Sequence, residues 1–180
     1  MKIFFWSALE IFETLIVSVL AVFIIRTFLF QPFLVSGASM EPNFFNGNYL
    51  IIDEISYRFR LPERGEVVVF EPPTGGGYFI KRIIGLPNEK IKIKDGRIEI
   101  FNTQNQEITL KENYLPPNLK TFGDLEITLS SNQYFVLGDN RNYSFDSRAW
   151  GPLVQDRIVG LVKFRIWPLT TAMAFSQPNY

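Results

Sequence analysis

The sequence contains no histidine and no cysteine. Their absence excludes the Ser-His-Asp triad, the Cys-His pair and the zinc sites that depend on histidine or cysteine ligands. Disulfide bonds are excluded as well, but exported domains without disulfides exist, so the missing cysteines leave the compartment open. Any serine nucleophile in this chain therefore needs a different base, and lysine is the candidate that remains.

The chain also lacks a net charge, because its 18 Lys and Arg residues balance its 18 Asp and Glu residues. No basic block could neutralise a run of phosphates, so we expect no nucleic-acid partner. The 180 residues suffice for one membrane segment and one domain of ordinary size. We expect no metal and no cofactor, and we expect a monomer.

A long apolar segment opens the chain. Residues 1–33 are apolar apart from Lys2, Glu10, Glu13, Arg26 and a few small polar residues. A helix needs about 20 mostly apolar residues to cross the hydrocarbon core. A helix that crosses the membrane within residues 1–33 has charged residues only near its ends, where long side chains can reach the membrane–water interface. This pattern predicts an N-terminal transmembrane helix as a membrane anchor over 1–33.

Pro32 is expected to end this helix, because proline lacks an amide hydrogen and its ring clashes with the preceding turn. Two alternatives to an anchor remain open. One is a cleavable export signal, because Ser36 and Ala38 are small residues at the right spacing for cleavage before Ser39. The other is a buried helix of a soluble domain.

Ser39 lies directly after the apolar segment, in the stretch 35–44, VSGASMEPNF. A serine hydroxyl is a weak nucleophile until a neighbouring base accepts its proton. Lys81 lies in the apolar stretch 79–84, FIKRII, and burial lowers a lysine pKa from its usual value of about 10.4. These residues make Ser39 a candidate nucleophile with Lys81 as its base, but a turn serine next to Gly37 remains an open alternative for Ser39. The apolar flanks of Lys81 argue against a solvated strand lysine.

Short apolar strands separated by turn signals make up most of the remaining chain. The clearest is a hairpin over 90–101, in which the turn Asp95-Gly96 pairs Lys94 with Arg97 and sets Lys92 opposite Glu99. No second amphipathic helix is visible. The pattern predicts an all-β soluble catalytic domain preceded by one N-terminal transmembrane helix.

Several segments together resemble the boxes of type I signal peptidases. They are 35–44, RGEVVVF at 64–70, FIKRII at 79–84, KRIIGLPNE at 81–89 and GDNRNYSFDSRAWG at 138–151, in the family's order. The resemblance runs from about Gln31 to Trp167. It implies a catalytic β-core over 34–170 with an inserted β region at about 88–128, and leaves 171–180 as a tail.

The resemblance also implies roles for individual residues: Ser39 would be the nucleophile that forms an acyl-enzyme, and Lys81 its general base. Ser144 would hydrogen-bond the Lys81 amine, and Asp146 and Arg148 would form a supporting ion pair. Met40, next to the nucleophile, would be a further supporting residue. Some family members carry Ser or Thr at the place of Gly37 as an oxyanion donor, so this chain would depend on backbone amides or water.

The function implied is a membrane-bound serine endopeptidase that cleaves signal peptides after small residues of the Ala-X-Ala type. Its partners would be the signal peptides of exported preproteins and the lipid bilayer. The protein would be located in the bacterial inner membrane as a single-pass protein, with a cytoplasmic N-terminus and an extracytoplasmic catalytic domain.

Two other functions share parts of this pattern. Self-cleaving repressors share a Ser/Lys dyad, but they carry a DNA-binding domain and lack a membrane segment. A membrane-anchored scaffold or pilus subunit would make Ser39 and Lys81 incidental. Phe44 and Phe45, just past the nucleophile, are expected either to form an apolar rim that dips into the membrane interface or to pack in the core.

Overall fold

The computed structural model describes residues 2–28 and 30–176. Helix α1 covers Lys2–Phe28, and strand β1, Phe30–Leu34, follows it. Among these described residues, no helix is both long enough and apolar enough to cross a membrane. The transmembrane anchor expected over 1–33 is therefore not found.

Pro32 does not end the helix as expected, because α1 already ends at Phe28 and Pro32 lies within β1. There it stands opposite Ile51 of strand β2, Tyr49–Asp53. β1 is the edge strand of its sheet. Proline is tolerated on an edge strand because one side of that strand needs no partner for an amide hydrogen.

Eight antiparallel strands form the larger sheet. Besides β1 and β2 they are β3 (Val67–Phe70), β4 (Phe79–Gly85), β9 (Gln133–Leu137), β10 (Leu153–Val154), β11 (Ile158–Trp167) and β12 (Met173–Ala174). Their order is β1-β2-β11-β3-β4-β9-β10, with β12 paired to β11. Two four-residue helices, α2 (Ser56–Phe59) and α3 (Ser147–Trp150), accompany them.

The apolar run of β3 is buried on both faces of this sheet. Val67 and Val69 join the cluster that holds Met40 and Phe44, whereas Val68 and Phe70 join a cluster on the opposite face. Successive side chains of a strand point to opposite faces. A run of four apolar residues therefore fits a strand that is covered on both sides.

A second sheet of four strands lies within the predicted inserted region 88–128. Its strands are β5 (Lys90–Lys94), β6 (Arg97–Phe101), β7 (Glu107–Ile108) and β8 (Leu125–Thr128), in the order β7-β6-β5-β8. The hairpin register is confirmed: Lys94 pairs with Arg97, and Lys92 lies opposite Glu99 with 3.3 Å between their charged atoms.

The all-β class of the part that follows β1 is confirmed, apart from the short helices. Part of the predicted tail 171–180 is folded, because β12 pairs with β11 and the Phe175 ring lies 4.5 Å from that of Phe44. Residues 177–180 lie outside the described residues.

The two adjacent phenylalanines after the nucleophile have different environments. Phe44 is 0% exposed and packs in the core, so the rim interpretation is wrong for it. Phe45 is 48% exposed. Of these two rings, only that of Phe45 is exposed enough to contact a membrane interface.

Candidate active site

Ser39 lies in the loop between β1 and β2, and hydrogen bonds hold this loop together at its base. The Val35 amide donates to the Asn48 carbonyl at 2.9 Å, and the Gly47 amide donates to the Val35 carbonyl at 2.9 Å. Met40 is buried, and its carbonyl accepts from the Phe44 amide at 2.9 Å. The buried Met40 thus anchors the turn that presents Ser39.

Gly37 adopts a backbone conformation that favours glycine, with φ at 93°. Its amide donates to Asn46 Oδ1 at 3.1 Å. In this structure the Gly37 amide is therefore occupied by a side chain of its own loop.

Lys81 lies in the middle of β4, where it faces Val68 across the ladder. Its side chain is buried, at 4% exposure. The Nζ atom donates to Ser39 Oγ at 2.6 Å and to the Ile80 carbonyl at 3.0 Å, and it stands 5.5 Å from the centre of the Phe79 ring. The structure thus brings the predicted nucleophile and the predicted base into direct contact.

Burial lowers the pKa of Lys81 to about 8, and the nearby carboxylates of Asp146 and Asp139 offset part of this effect by favouring the charged amine. At that pKa a substantial fraction of the amine is neutral near pH 8. A neutral amine has the lone pair that a general base needs.

The loop over 138–148 joins the nucleophile from the other side. Asn140 donates its amide to the Ser39 carbonyl at 3.0 Å and its side-chain Nδ2 to the Ala38 carbonyl at 3.0 Å. At Gly138 a Cβ atom would collide with the Ser39 carbonyl oxygen and with Ser144 Oγ. A glycine is needed at this position because two backbones pass so close together.

The ion pair implied for Asp146 and Arg148 is present. Asp146 is fully buried and accepts from Arg148 Nε at 2.8 Å and from the Gly138 amide at 3.1 Å. Arg148 Nη2 also donates to the Arg141 carbonyl at 2.7 Å. The pair therefore holds both ends of the 138–148 loop.

The hydrogen bond implied from Ser144 to the Lys81 amine is not formed. Ser144 Oγ is buried and has no hydrogen-bond partner among the described residues. It lies instead against Gly138. The contact with Ser39 and the Ile80 carbonyl, rather than one with Ser144, orients the amine here.

Arg82 and Asp139 form a buried ion pair that the sequence interpretation missed. Arg82 Nε and Nη2 donate to the two carboxylate oxygens of Asp139 at 2.8 and 2.7 Å, and Asn43 Nδ2 donates to the same carboxylate at 2.8 Å. Arg82 follows Lys81 directly in β4, so its side chain points to the opposite face of the strand. Its partner could have been sought among the acidic residues of the polar 138–148 loop.

A groove of about 470 Å³ opens at Ser39 and Lys81. Its lining is mostly apolar and includes the buried Leu50 and Val69, together with the exposed aromatic residues Tyr78, Tyr143 and Phe145. The part of the chain that the structure describes holds no group of three acidic side chains able to bind a metal ion. The groove thus presents a mostly apolar surface beside the Ser39 hydroxyl.

Comparison with known proteins gives consistent matches. A family model described as signal peptidase, peptidase S26, matches residues 8–167. The "Probable signal peptidase I-2" of Synechocystis sp. is 38% identical over 168 residues, 89% of this chain and 74% of that protein. "Signal peptidase I V" of Bacillus subtilis is 36% identical over 155 residues, 82% of this chain and 92% of that one.

A solved signal peptidase I from Enterococcus faecalis V583 shares 29% sequence identity and a TM-score of 0.48, covering 58% of this chain and 98% of that chain. The match to the family model extends over most of the sequence and includes both Ser39 and Lys81. The chain belongs to the signal peptidase family of serine peptidases, peptidase S26.

Proposed function

We propose that this protein is a serine endopeptidase that removes N-terminal signal peptides from exported proteins, with Ser39 as nucleophile and Lys81 as general base. The single observation that carries the proposal is the 2.6 Å contact between the Lys81 amine and the Ser39 hydroxyl inside the groove. Family membership supports the reaction class.

In the proposed mechanism the neutral Lys81 amine accepts the Ser39 proton while Ser39 Oγ attacks the scissile carbonyl. The ammonium then donates this proton to the leaving amine, and an acyl-enzyme on Ser39 remains. A water molecule, deprotonated by the same amine, attacks the ester carbonyl, and the ammonium returns the proton to Ser39 Oγ as the acid product leaves. One buried lysine thus serves as base and acid in turn, which a pKa of about 8 supports.

The developing oxyanion needs hydrogen-bond donors that are already in place. Gly37 has no side-chain hydroxyl, and its amide donates to Asn46. We assign the main oxyanion contact to the Ser39 backbone amide.

The substrate is proposed to bind as an added strand along β4. β9 pairs with β4 only from Arg82 onward, whereas β3 covers the other edge of β4 from Phe79 to Arg82. Among the described strands, the β9-side edge next to Lys81 therefore carries no partner. An extended peptide that adds to such an edge places alternate side chains in the groove, which suits the small residues of an Ala-X-Ala site.

A lipid bilayer is the second proposed partner. Side chains of α1 such as Ile11, Leu15 and Val19 are apolar and exposed, and such a surface favours an apolar environment. We place the catalytic domain on the extracytoplasmic face of the membrane, where exported proteins arrive. Flotation of the full chain with liposomes tests this association.

The function is tested with the purified full chain and a peptide that carries alanine at the first and third positions before the expected cut. Mass spectrometry should locate one cut after the second alanine. A matched peptide with leucine at these two positions should stay intact. Equal cleavage of both peptides, or undiminished cleavage by Ser39→Ala, would contradict the proposal.

A further inference from the structure

Residues 112–122, in the connection between β7 and β8, lie against the 138–148 loop, and we call them the brace. The brace comes from the region of the second sheet and contributes no group to the contact between Ser39 and Lys81. Its groups nevertheless contact three arginines close to the site: Arg82, Arg141 and Arg148.

Arg141 depends on the brace for its counter-charge. It is buried, and Glu112 binds its guanidinium through both carboxylate oxygens, with the Nη1 contact at 3.1 Å. Thr121 Oγ1 accepts from the same Nη1 at 2.6 Å. A buried cation is stable only when it is paired, so Glu112 fixes where the guanidinium lies.

Tyr114 of the brace links two further parts of the site. Its ring lies under the Arg82 guanidinium at 4.0 Å, and its carbonyl accepts from Asn43 Nδ2 at 3.0 Å. Asn43 belongs to the turn that follows Ser39 and also donates to Asp139. The Tyr114 hydroxyl donates to Glu112 Oε1 at 2.6 Å. This hydrogen bond connects the contacts of Tyr114 to those between Glu112 and Arg141.

Two hydrogen bonds of the 138–148 loop connect Arg141 to the backbone of the nucleophile. Arg141 Nε donates to the Gly138 carbonyl at 3.1 Å, and Asn140, between the two, donates its amide to the Ser39 carbonyl at 3.0 Å. The position of Arg141 thus sets the position of the segment that holds the Ser39 backbone. A misplacement of about 1 Å near reacting groups costs on the order of 100-fold in rate.

We infer that Glu112 is a positioning residue of this enzyme, and that the brace holds Ser39 in line with the Lys81 amine through Arg141 and Asn140. The inference rests on the proposed role of Ser39 and Lys81. It assigns a catalytic consequence to a segment that contributes no reacting group.

The test compares Glu112→Gln with the wild type in the full-length protein. The measurement is the rate at which a serine-reactive penem acylates Ser39, monitored by intact-protein mass spectrometry at several penem concentrations. The dependence of this rate on penem concentration gives the maximal acylation rate and the binding constant separately. The control is Glu107→Gln, because Glu107 is an exposed carboxylate of the neighbouring β7. Melting temperatures show that each variant is folded at the assay temperature.

We expect Glu112→Gln to lower the maximal acylation rate at least tenfold while the binding constant changes less than twofold. Tyr114→Phe keeps the ring under Arg82 but removes the hydroxyl bound to Glu112, and should lower the same rate about threefold or more. If Glu112→Gln does not fold, the maximal acylation rate of Tyr114→Phe tests the inference by itself. Unchanged rates in the folded variants would overturn the inference, even if their melting temperatures fell.

The experiments distinguish a failure of this inference from a failure of the proposed function. A wild type that is acylated at Ser39 but leaves the alanine-containing peptide intact would contradict signal-peptide cleavage and keep the inference. A wild type that is not acylated at Ser39 would overturn the inference together with the proposed pair.

Discussion

The Lys81 amine lies 2.6 Å from the Ser39 hydroxyl although the two residues are 42 positions apart in the chain. Strands β11 and β3 stand between β2 and β4 in the sheet, so the loop that carries Ser39 reaches across two strands to meet Lys81. This contact underlies the first prediction.

Ser39→Ala and Lys81→Ala should each abolish peptide cleavage, because the nucleophile and its base act as one unit. The double variant should be no less active than either single variant, since such losses are not additive. Cleavage rates of the three purified variants provide the measurement. Appreciable turnover by folded Lys81→Ala would refute the assigned base.

The rate should depend on pH through the Lys81 amine. Its pKa is lowered to about 8, so the base is protonated and inactive below that pH and becomes neutral above it. We expect kcat/KM to rise with pH through an apparent pKa near 8 and then to level off. A single rise near the usual lysine value of about 10.4 would show that the amine is not desolvated.

Gly138→Ala should strongly reduce cleavage. A Cβ atom at this position meets the Ser39 carbonyl oxygen and Ser144 Oγ, so the backbone that carries the nucleophile must move. The matched control is Gly151→Ala, because no atom lies within 4 Å of a Cβ there, although φ is 87°. The control should cost about 1–3 kcal/mol of stability, because φ 87° with ψ −162° is a backbone conformation that is essentially restricted to glycine, and it should leave kcat nearly unchanged.

Phe44 and Phe45 offer a matched pair of adjacent aromatic residues. Phe44→Ala should destabilise the fold by about 3–5 kcal/mol, because the ring is fully buried. Phe45→Ala should leave the melting temperature nearly unchanged, since that ring is half-exposed. Thermal unfolding of the two variants checks this contrast.

Phe45→Ala has a second expected effect, on liposome binding of the full chain. If Phe45 contacts the membrane interface, its loss should weaken binding measurably. Binding equal to that of the wild type would assign Phe45 to ordinary surface and leave membrane contact to other residues.

The sequence by itself determined the features that depend on neighbouring residues. The Asp95-Gly96 turn and the alternation around it specify the register of the β5–β6 hairpin, since a two-residue turn leaves one pairing that buries the isoleucines. The absence of histidine and cysteine left lysine as base by composition alone.

Only the tertiary structure decided what depends on distant partners. Arg82 and Asp139 are 57 positions apart, and their pairing follows from the β4–β9 register rather than from any local pattern. Pro32 stands in a strand because β2 lies beside it. Phe44 is buried because its ring packs in the core cluster with Met40 and against Phe175, whereas the neighbouring Phe45 lies outside that cluster. Periodicity and turn chemistry act over a few residues, whereas burial and ion pairing depend on which strands the fold brings together.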